Sequence, residues 1–436
     1  MPSRAGGPAY AGVSLKSDRS GAVVLRGDDV TWVPTVPMDD GDVEPLIARI
    51  VTAAQGALEA VSIDISQVLL DSVLRAAPAP PPVAVIRIVP RPAADPALAR
   101  SPARLVEQLI ARRFTVAGGH DLLGHQLCPL DYGALQTVCG ELAEAGIRGV
   151  AVVGAGSQAN PVHEQTVANA VQATSSPARI SVASDFGGQG LVAREATVTL
   201  DCALGPITER ILAQWERALA SMSPNASLRV ARSDGGYSTS SRARSLPVVS
   251  LGAADAMQLA GAARLQRISD CRVLLPRPDG QVAGDVRHGL VAIRSGQLSV
   301  FGVELVVPTA VLTPDRGVES AVGLRRITDV PLVLADRNPD ELACLGAAVS
   351  QPTSWLDEFA FIESATELAR VRRDAEERAT AIVMANGAAP GTAHIAEISA
   401  VAVPYSPPGT VRIRVRVAGA PDTDPRSIAV TDRIAQ

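Results

Sequence analysis

A histidine and a glutamate stand side by side at His163 and Glu164, and these residue types can transfer protons or bind a metal ion together. The preceding pair, Asn160-Pro161, predicts a helix start that places Glu164 in the first turn, where it complements the helix dipole. Adjacent side chains on a helix point about 100° apart, so the pair does not converge on one ion. The sequence favours the helix-terminus interpretation and leaves a catalytic pair as the alternative.

A second candidate is the loop that reads Asp-Gly-Gly-Tyr-Ser-Thr from Asp234 to Thr239, after an apolar run. Gly235 and Gly236 would let backbone N–H groups approach an anion, and Asp234 could act as an acid or base. The pattern therefore predicts Asp234 as catalytic and the two glycines as cofactor-binding. A simple turn explains the same residues and stays the alternative.

Two histidines and an aspartate, His120, Asp121 and His125, lie close together in a glycine-rich loop. Such residues can bind a divalent ion if a helix brings their side chains onto one face. The glycines of this loop disfavour a helix. We therefore expect a polar loop and assign no metal site.

The composition of the 436-residue chain indicates two or three domains with real cores, since 47% of residues are hydrophobic. The net charge of −5 is modest and the arginines are scattered, which disfavours nucleic acid as a partner. Lys16 is the only lysine and has no glycine-rich loop around it, so a Walker-type phosphate loop is excluded.

The five cysteines never form Cys-x-x-Cys, which is typical of reduced thiols in the cytoplasm. No stretch of about 18 uncharged apolar residues occurs, and the first ten residues lack a signal core. These features predict a cytoplasmic protein with no membrane span.

Continuous apolar runs alternate with amphipathic helices along the chain, as a sheet covered on both faces requires. The pattern predicts an α/β fold. The predicted elements include strands at 68–70, 83–89 and 147–153, a helix at 132–145, a helix at 363–385, and a long helix or pair of helices at 194–222 with Gly205-Pro206 as a break. The predicted organisation is an N-terminal lobe at 1–180, a central lobe at 181–350, a C-terminal helix with β-strands at 351–420, and a disordered tail at 421–436.

Several short motifs occur in an order that resembles the A subunit of the hydantoinase/oxoprolinase family, and they cover nearly the whole chain. They are Val83–Val89, Gly118–Asp131 with its Gly-Gly-His start, Asn160–Glu164, Gly190–Thr197, Ser233–Gly236, Leu345–Ala348 and Val403–Tyr405. The resemblance implies an actin/hexokinase-like (ribonuclease H-like) two-lobed architecture with a small C-terminal α+β segment. It also implies ATP with Mg²⁺ as cofactors, a small cyclic amide as substrate, and a hydantoinase B-type subunit as partner in an oligomer.

The chain departs from the family where phosphates should bind. An actin-like site uses two hairpins, each with Asp before Gly-Gly-Thr, whose backbone N–H groups approach the phosphates. The first hairpin here has Gly12 and Ser14 in place, Ser14 standing where Asp belongs, and then Lys16-Ser17-Asp18. The second reads Val273 to Asp279 with two prolines, and the adenosine loop appears as Leu334 to Asn338. Gly12 and Ser14 remain cofactor-binding candidates, while ATP binding is predicted to be impaired.

Three functions follow from these observations. The first is a subunit of a ring-opening cyclic amide hydrolase, and the second is a non-catalytic structural or regulatory partner of a B-type subunit. The third is ATP-independent chemistry in the cleft between the lobes, with Asp234 and His163 nearby.

Overall fold

The computed structural model describes residues 7–38, 42–75, 79–92, 101, 103–175, 177–278, 280–295, 302–315 and 330–422. The predicted tail at 421–436 lies, beyond its first two residues, outside these ranges. The helices are α1 Glu44–Ala53, α2 Ser66–Arg75, α3 Arg104–Glu107, α4 Tyr132–Ala145, α5 Val162–Ser175, α6 Leu191–Met222, α7 Ser240–Ser245, α8 Ala253–Leu265, α9 Pro339–Val349 and α10 Ala365–Ala385.

The strands fall into five sheets. Their bounds are β1 Ala9–Ser14, β2 Arg19–Arg26, β3 Asp29–Pro37, β4 Leu58–Asp64, β5 Val83–Val89, β6 Ile110–Ala117, β7 Gly149–Gly154, β8 Arg179–Val182, β9 Ser227–Ala231, β10 Tyr237–Thr239, β11 Cys271–Arg277, β12 Gly280–Arg287, β13 Leu290–Val291, β14 Ile293–Ser295, β15 Pro308–Ala310, β16 Thr313–Asp315, β17 Leu332–Leu334, β18 Thr353–Phe361, β19 His394–Ala402 and β20 Thr410–Ala418.

The first sheet has the order β10-β9-β4-β1-β2-β3. Strands β1, β2 and β3 form an antiparallel meander, whereas β4 pairs parallel with β1 and β9 pairs parallel with β4. The central strands are apolar on both faces and are buried, because helices cover both sides. This strand order is that of a ribonuclease H-like lobe.

A second sheet repeats this plan, with β11, β12 and β13 antiparallel and β17 parallel to β11. Helices α8 and α9 cross where the two lobes meet, and glycines at the crossing bring their backbones together. The two-lobed actin/hexokinase-like architecture predicted by the resemblance is therefore confirmed.

A four-stranded parallel sheet, β6-β5-β7-β8, is inserted between α2 and β9. It is tied to α6 by Glu195, which accepts from Arg87 Nη2 at 2.9 Å and from Arg113 Nη2 at 3.3 Å. A three-stranded antiparallel sheet, β18-β20-β19, follows the second lobe and packs against α10. The inserted sheet and the C-terminal sheet surround the two lobes with additional surfaces.

Two sequence predictions about local structure are wrong. Residues 68–70 belong to α2, because Leu69 and Val73 are buried with helical spacing, and the strand is the preceding β4. Helix α6 runs through Pro206 without a break, since Leu204 and Ile207 on either side are buried against the core. Tertiary packing here offsets the lost backbone hydrogen bond.

No helix within the described ranges is long and apolar enough to cross a bilayer.

Candidate functional site

The cleft between the lobes begins at the β1–β2 hairpin. Ser14 ends β1, and its backbone N–H donates to Cys344 Sγ at 3.2 Å. Lys16 follows, and its ammonium contacts the Asp340 carboxylate in the first turn of α9 at 2.6 Å. Asn338 caps that helix by accepting from the Asp340 N–H at 2.9 Å. The Lys16 side chain therefore holds the hairpin to α9.

Asp64 lies at the carboxyl end of β4, beside this hairpin. Its side chain is fully buried and accepts from the Ser66 N–H at 2.9 Å. Burial, with smaller contributions from the Asp255 and Asp340 carboxylates, raises the pKa of Asp64 to about 6, although the hydrogen bonds from Ser66 oppose the shift. Asp64 thus lies within the electrostatic reach of both walls of the cleft.

The opposite wall is the β11–β12 hairpin of the second lobe. Arg277 reaches back to α8, where its guanidinium contacts the Asp255 carboxylate at 2.6 Å and the Gln258 amide oxygen at 2.9 Å. Pro276 and Pro278 flank this arginine and have no backbone N–H to donate. Asp279, the last residue of the predicted motif, lies outside the described residues.

A cavity of about 260 Å³ opens at the first hairpin. Ser14 and Lys16 line it from the hairpin, and Asp340 and Cys344 line it from α9. Burial raises the pKa of Cys344 to about 12, so its thiol stays protonated. This cavity lies between the β1–β3 meander and the start of α9, and none of the described residues of the β11–β12 hairpin lines it. We use the name interlobe cleft for the first hairpin with its partner Asp340, together with Asp64 and the Arg277–Asp255 pair.

Gly12 lies in β1 and packs against α9. A Cβ atom built there would lie 1.9 Å from the carbonyl oxygen of Cys344. The missing side chain lets α9 approach the strand, and the residue faces a helix backbone. A role for Gly12 in cofactor binding stays a prediction, as does one for Ser14, which lines the cavity.

Asp234 lies in the turn between β9 and β10 and is fully buried. Its carboxylate accepts from Thr353 Oγ1 at 2.9 Å and faces the Arg232 guanidinium at 3.3 Å. Arg232 and Arg416 offset the effect of burial and hold the pKa of Asp234 below its ordinary value. This arrangement joins the first lobe to the C-terminal sheet, and the catalytic role of Asp234 remains a prediction.

The two glycines of that turn are enclosed by neighbouring side chains. A Cβ at Gly236 would lie 2.0 Å from Thr353 Oγ1, and one at Gly235 would lie 3.3 Å from Val291. Gly235 also has a φ of 87°, which favours glycine. Cofactor binding by either glycine remains a prediction.

Glu164 lies in the first turn of α5, at the carboxyl edge of the inserted sheet. It is fully buried and accepts from the Gly154 N–H at 2.6 Å, from the Ser184 N–H at 2.8 Å and from the Ser157 hydroxyl. Arg194 lies 3.6 Å away. These bonds use both carboxylate oxygens to fix the loops around the helix start.

His163 lies beside His120, with ring centroids 4.3 Å apart. Its Nδ1 accepts from the Gly119 N–H at 2.9 Å, so in the neutral ring the proton sits on Nε2. Burial lowers the pKa of both histidines. His125 instead contacts Asp121 at 3.1 Å on the surface, away from this ring pair.

The predicted site residues belong to three parts of the fold: the interlobe cleft, the β9–β10 turn and the start of α5. Across the described residues, no group of three or more His, Cys, Asp or Glu side chains is arranged to hold a metal ion. Sequence reasoning missed Asp64 and Asp340 in the cleft. Asp64 ends the apolar run of β4 and Asp340 follows Asn338-Pro339, a helix-start signal, so both could have been found.

Comparisons with known proteins bear on this architecture. Residues 96–175 match the model of the hydantoinase/oxoprolinase N-terminal region. No curated protein sequence matches the chain. An ATP-dependent caprolactamase from Pseudomonas jessenii is similar over 94% of this chain and 87% of its own, with a TM-score of 0.70 and 11% identity.

Nucleotide-free acetone carboxylase, described with the mechanism of ATP-dependent acetone carboxylation, is similar over 96% of this chain and 89% of its own. Its TM-score is 0.66 at 11% identity, so this likeness concerns the fold. The chain is thus similar to the hydantoinase/oxoprolinase N-terminal region over residues 96–175 and shares the fold of these two ATP-dependent enzymes.

Proposed function

We propose that the chain is a subunit of the ring-opening cyclic amide hydrolase type in which ATP binding is impaired. The two solved relatives are described as ATP-dependent, and one acts on caprolactam. The observation that carries the proposal is the composition of the interlobe cleft. The two hairpins that should grip phosphates instead present Lys16 to Asp340 and Arg277 to Asp255.

The loss of donors matters more than the ion pairs themselves. The carboxylates are about 40% exposed, and such partly exposed pairs contribute up to about 1 kcal/mol each, so phosphate could displace them. Backbone N–H groups cannot be replaced in this way. Pro276 and Pro278 have no backbone N–H, so the second hairpin lacks these donors. In the first lobe, Gly12 packs against the backbone of α9.

The residues present also do not fit Mg²⁺. Octahedral Mg²⁺ is held by carboxylates together with phosphate oxygens. Ser14 stands where the first hairpin should supply Asp, and one oxygen of the buried Asp64 carboxylate already accepts from the Ser66 N–H. We derive no reaction step through ATP or Mg²⁺ for this chain.

Thermal unfolding with and without Mg-ATP tests the proposal. A bound ligand at about 100 times its Kd adds about 2.7 kcal/mol to the native state. We expect no saturable change in the melting temperature up to millimolar Mg-ATP, compared with Mg²⁺ and chloride at equal ionic strength. A saturable rise that is absent with AMP would contradict the impairment.

The second candidate is a non-catalytic partner of a hydantoinase B-type subunit. It is supported by β19, the edge strand of the C-terminal sheet, whose residues are exposed along most of its length. An exposed strand edge can pair with another chain. Co-expression with a B-type subunit should give a complex that survives gel filtration. Ring opening by that complex without ATP would favour the hydrolase with impaired ATP binding, and a complex that opens no ring would favour the partner role.

A further inference from the structure

A second cavity, of about 220 Å³, lies where β9 and β10 meet the C-terminal segment. It has no part in the interlobe cleft. Its walls are lined by Asn225, Ser227, Arg229, Tyr237, Ser241 and Asp422. The cavity combines one buried cation with hydroxyl and amide groups.

Arg229 is the cation, and only 6% of it is exposed. Its guanidinium lies over the Tyr237 ring at 4.7 Å and over the Tyr10 ring at 5.8 Å. Two aromatic contacts hold the plane of the guanidinium in place. The orientation of this charge is therefore fixed before any ligand arrives.

The hydrogen-bonding capacity of Arg229 is largely unused. Within the described part of the chain its guanidinium makes one hydrogen bond, to the carbonyl oxygen of Asp422 at 3.4 Å. Asp422 has a further partner of its own, and Arg229 takes part in none of the ion pairs given for the described residues. The unpaired nitrogens of Arg229 are not among the fully buried ones, so an anion in the cavity can reach them.

The other groups of the cavity suit an anion. Burial raises the pKa of Tyr237 to about 12, so its hydroxyl stays a donor, and its bond to the Gly387 carbonyl oxygen is long at 3.5 Å. Ser241 adds a hydroxyl at the rim. Two carboxylates lie near the cavity. The charge of Asp422 contributes to the raised pKa of Tyr237, and Glu216 accepts hydrogen bonds from Arg244 and Ser240.

We propose that this cavity binds a small oxyanion, a carboxylate or a phosphate, through the open edge of the Arg229 guanidinium. Guanidinium binds both groups in a bidentate manner. The small volume suits a compact anion. Because Gly387 and Asp422 belong to the C-terminal segment, an anion here would link that segment to the first lobe.

Isothermal titration of the full chain with inorganic phosphate and, separately, with acetate tests the proposal. Chloride at equal ionic strength is the reference. We expect saturable binding of at least one oxyanion, weakened about tenfold or more by Arg229→Gln. Arg217→Gln is the matched control, since it removes the same charge from an exposed position on α6. The anion that binds more tightly identifies the preferred chemistry.

A blocking variant covers the case in which Arg229→Gln does not fold. Ser241→Phe keeps the arginine and fills the rim, and it should abolish binding. Absence of oxyanion binding in the full chain, or equal binding by all variants, would overturn the proposal. Binding by a chain that ends at Asp422, with none by the full chain, would overturn it too, because the chain's own C-terminal residues would then be the occupant.

Discussion

The pKa of Asp64 reflects the groups that surround its side chain. It is a carboxylate at the end of a central strand, fully buried, with two further carboxylates close enough to raise its pKa. Its ordinary pKa of 3.8 applies in the unfolded chain, and its folded pKa is about 6. Above pH 6 the folded state carries a charge that its environment disfavours.

Replacing Asp64 by Asn should therefore stabilise the protein above pH 6. The difference of about 2 pH units corresponds to about 2 to 3 kcal/mol. The gain should shrink as pH falls from 6 to 4 and vanish below, because the wild-type carboxyl is then protonated in both states. Urea unfolding at pH 4 and pH 8 measures it, with Asp18→Asn as an exposed control. Equal effects at both pH values would contradict the raised pKa.

His163 should lower the stability of the folded protein as pH falls, whereas a histidine that is paired in its charged form would raise it. Burial, and then the neighbouring His120, lower its pKa below the ordinary 6.5. The unfolded chain therefore takes up a proton first as pH falls below 6.5, and the folded state loses stability. His163→Asn keeps an acceptor for the Gly119 N–H but cannot titrate.

We expect the loss of stability below pH 6.5 to be shallower in His163→Asn than in the wild type. His288→Asn, whose side chain is 90% exposed in the wild type, should leave the slope unchanged. Denaturant unfolding from pH 7.5 to 5 gives the three slopes. Identical slopes for His163→Asn and the wild type would remove this histidine from the acid response.

At the scale of elements, the crossing of α8 and α9 depends on glycine. A Cβ at Gly346 of α9 would lie 1.9 Å from the carbonyl oxygen of Met257, and one at Gly261 of α8 would lie 2.0 Å from that of Leu342. Each helix backbone thus occupies the space where the other would carry a side chain. This contact sets the distance between the lobes.

Gly346→Ala should cost about 3 kcal/mol or more, because the clash is with backbone, which cannot rotate away. Gly140→Ala is the matched control in α4, where nothing lies within 4 Å. That substitution should stabilise by about 0.5 to 1 kcal/mol through helix propensity. Equilibrium urea unfolding compares the two. A Gly346→Ala protein as stable as the wild type would show that the helices can separate without loss.

At the scale of the whole molecule, Arg416 joins three parts of the chain. It is 3% exposed and lies in β20 of the C-terminal sheet. It donates to the carbonyl oxygen of Val291 at 2.7 Å and to that of Asp234 at 2.5 Å. The C-terminal sheet is thereby held to both lobes by one guanidinium.

Arg416→Met should destabilise the protein by about 3 to 5 kcal/mol, since it leaves buried carbonyl groups without donors and the Asp234 carboxylate with less positive charge around it. Arg373→Met, on the exposed face of α10, should change stability by less than about 0.5 kcal/mol. Calorimetric unfolding gives both values. A loss below about 1 kcal/mol for Arg416→Met would mean that the sheet is held by other contacts.

The sequence alone predicted the fold class and the resemblance to the hydantoinase/oxoprolinase family, because both depend on local patterns: apolar runs for strands, helical periodicity at α4 and α10, and motifs kept in order. The altered hairpins were also visible, since proline and a missing aspartate act where they stand. The sequence pattern gave the wrong prediction at residues 68–70 and at Pro206. Both lie in helices that are stabilised by burial against the core, against the local preference of the residues.

Only the tertiary structure decided which polar residues meet. Lys16 and Asp340 are 324 residues apart in sequence and Asp234 and Arg416 are 182 apart, yet both pairs are in contact. The same holds for the stacking of Arg229 on Tyr10 and for the packing of Gly12 against Cys344. Such contacts arise when distant strands and helices close on a common core, and no local spacing encodes them.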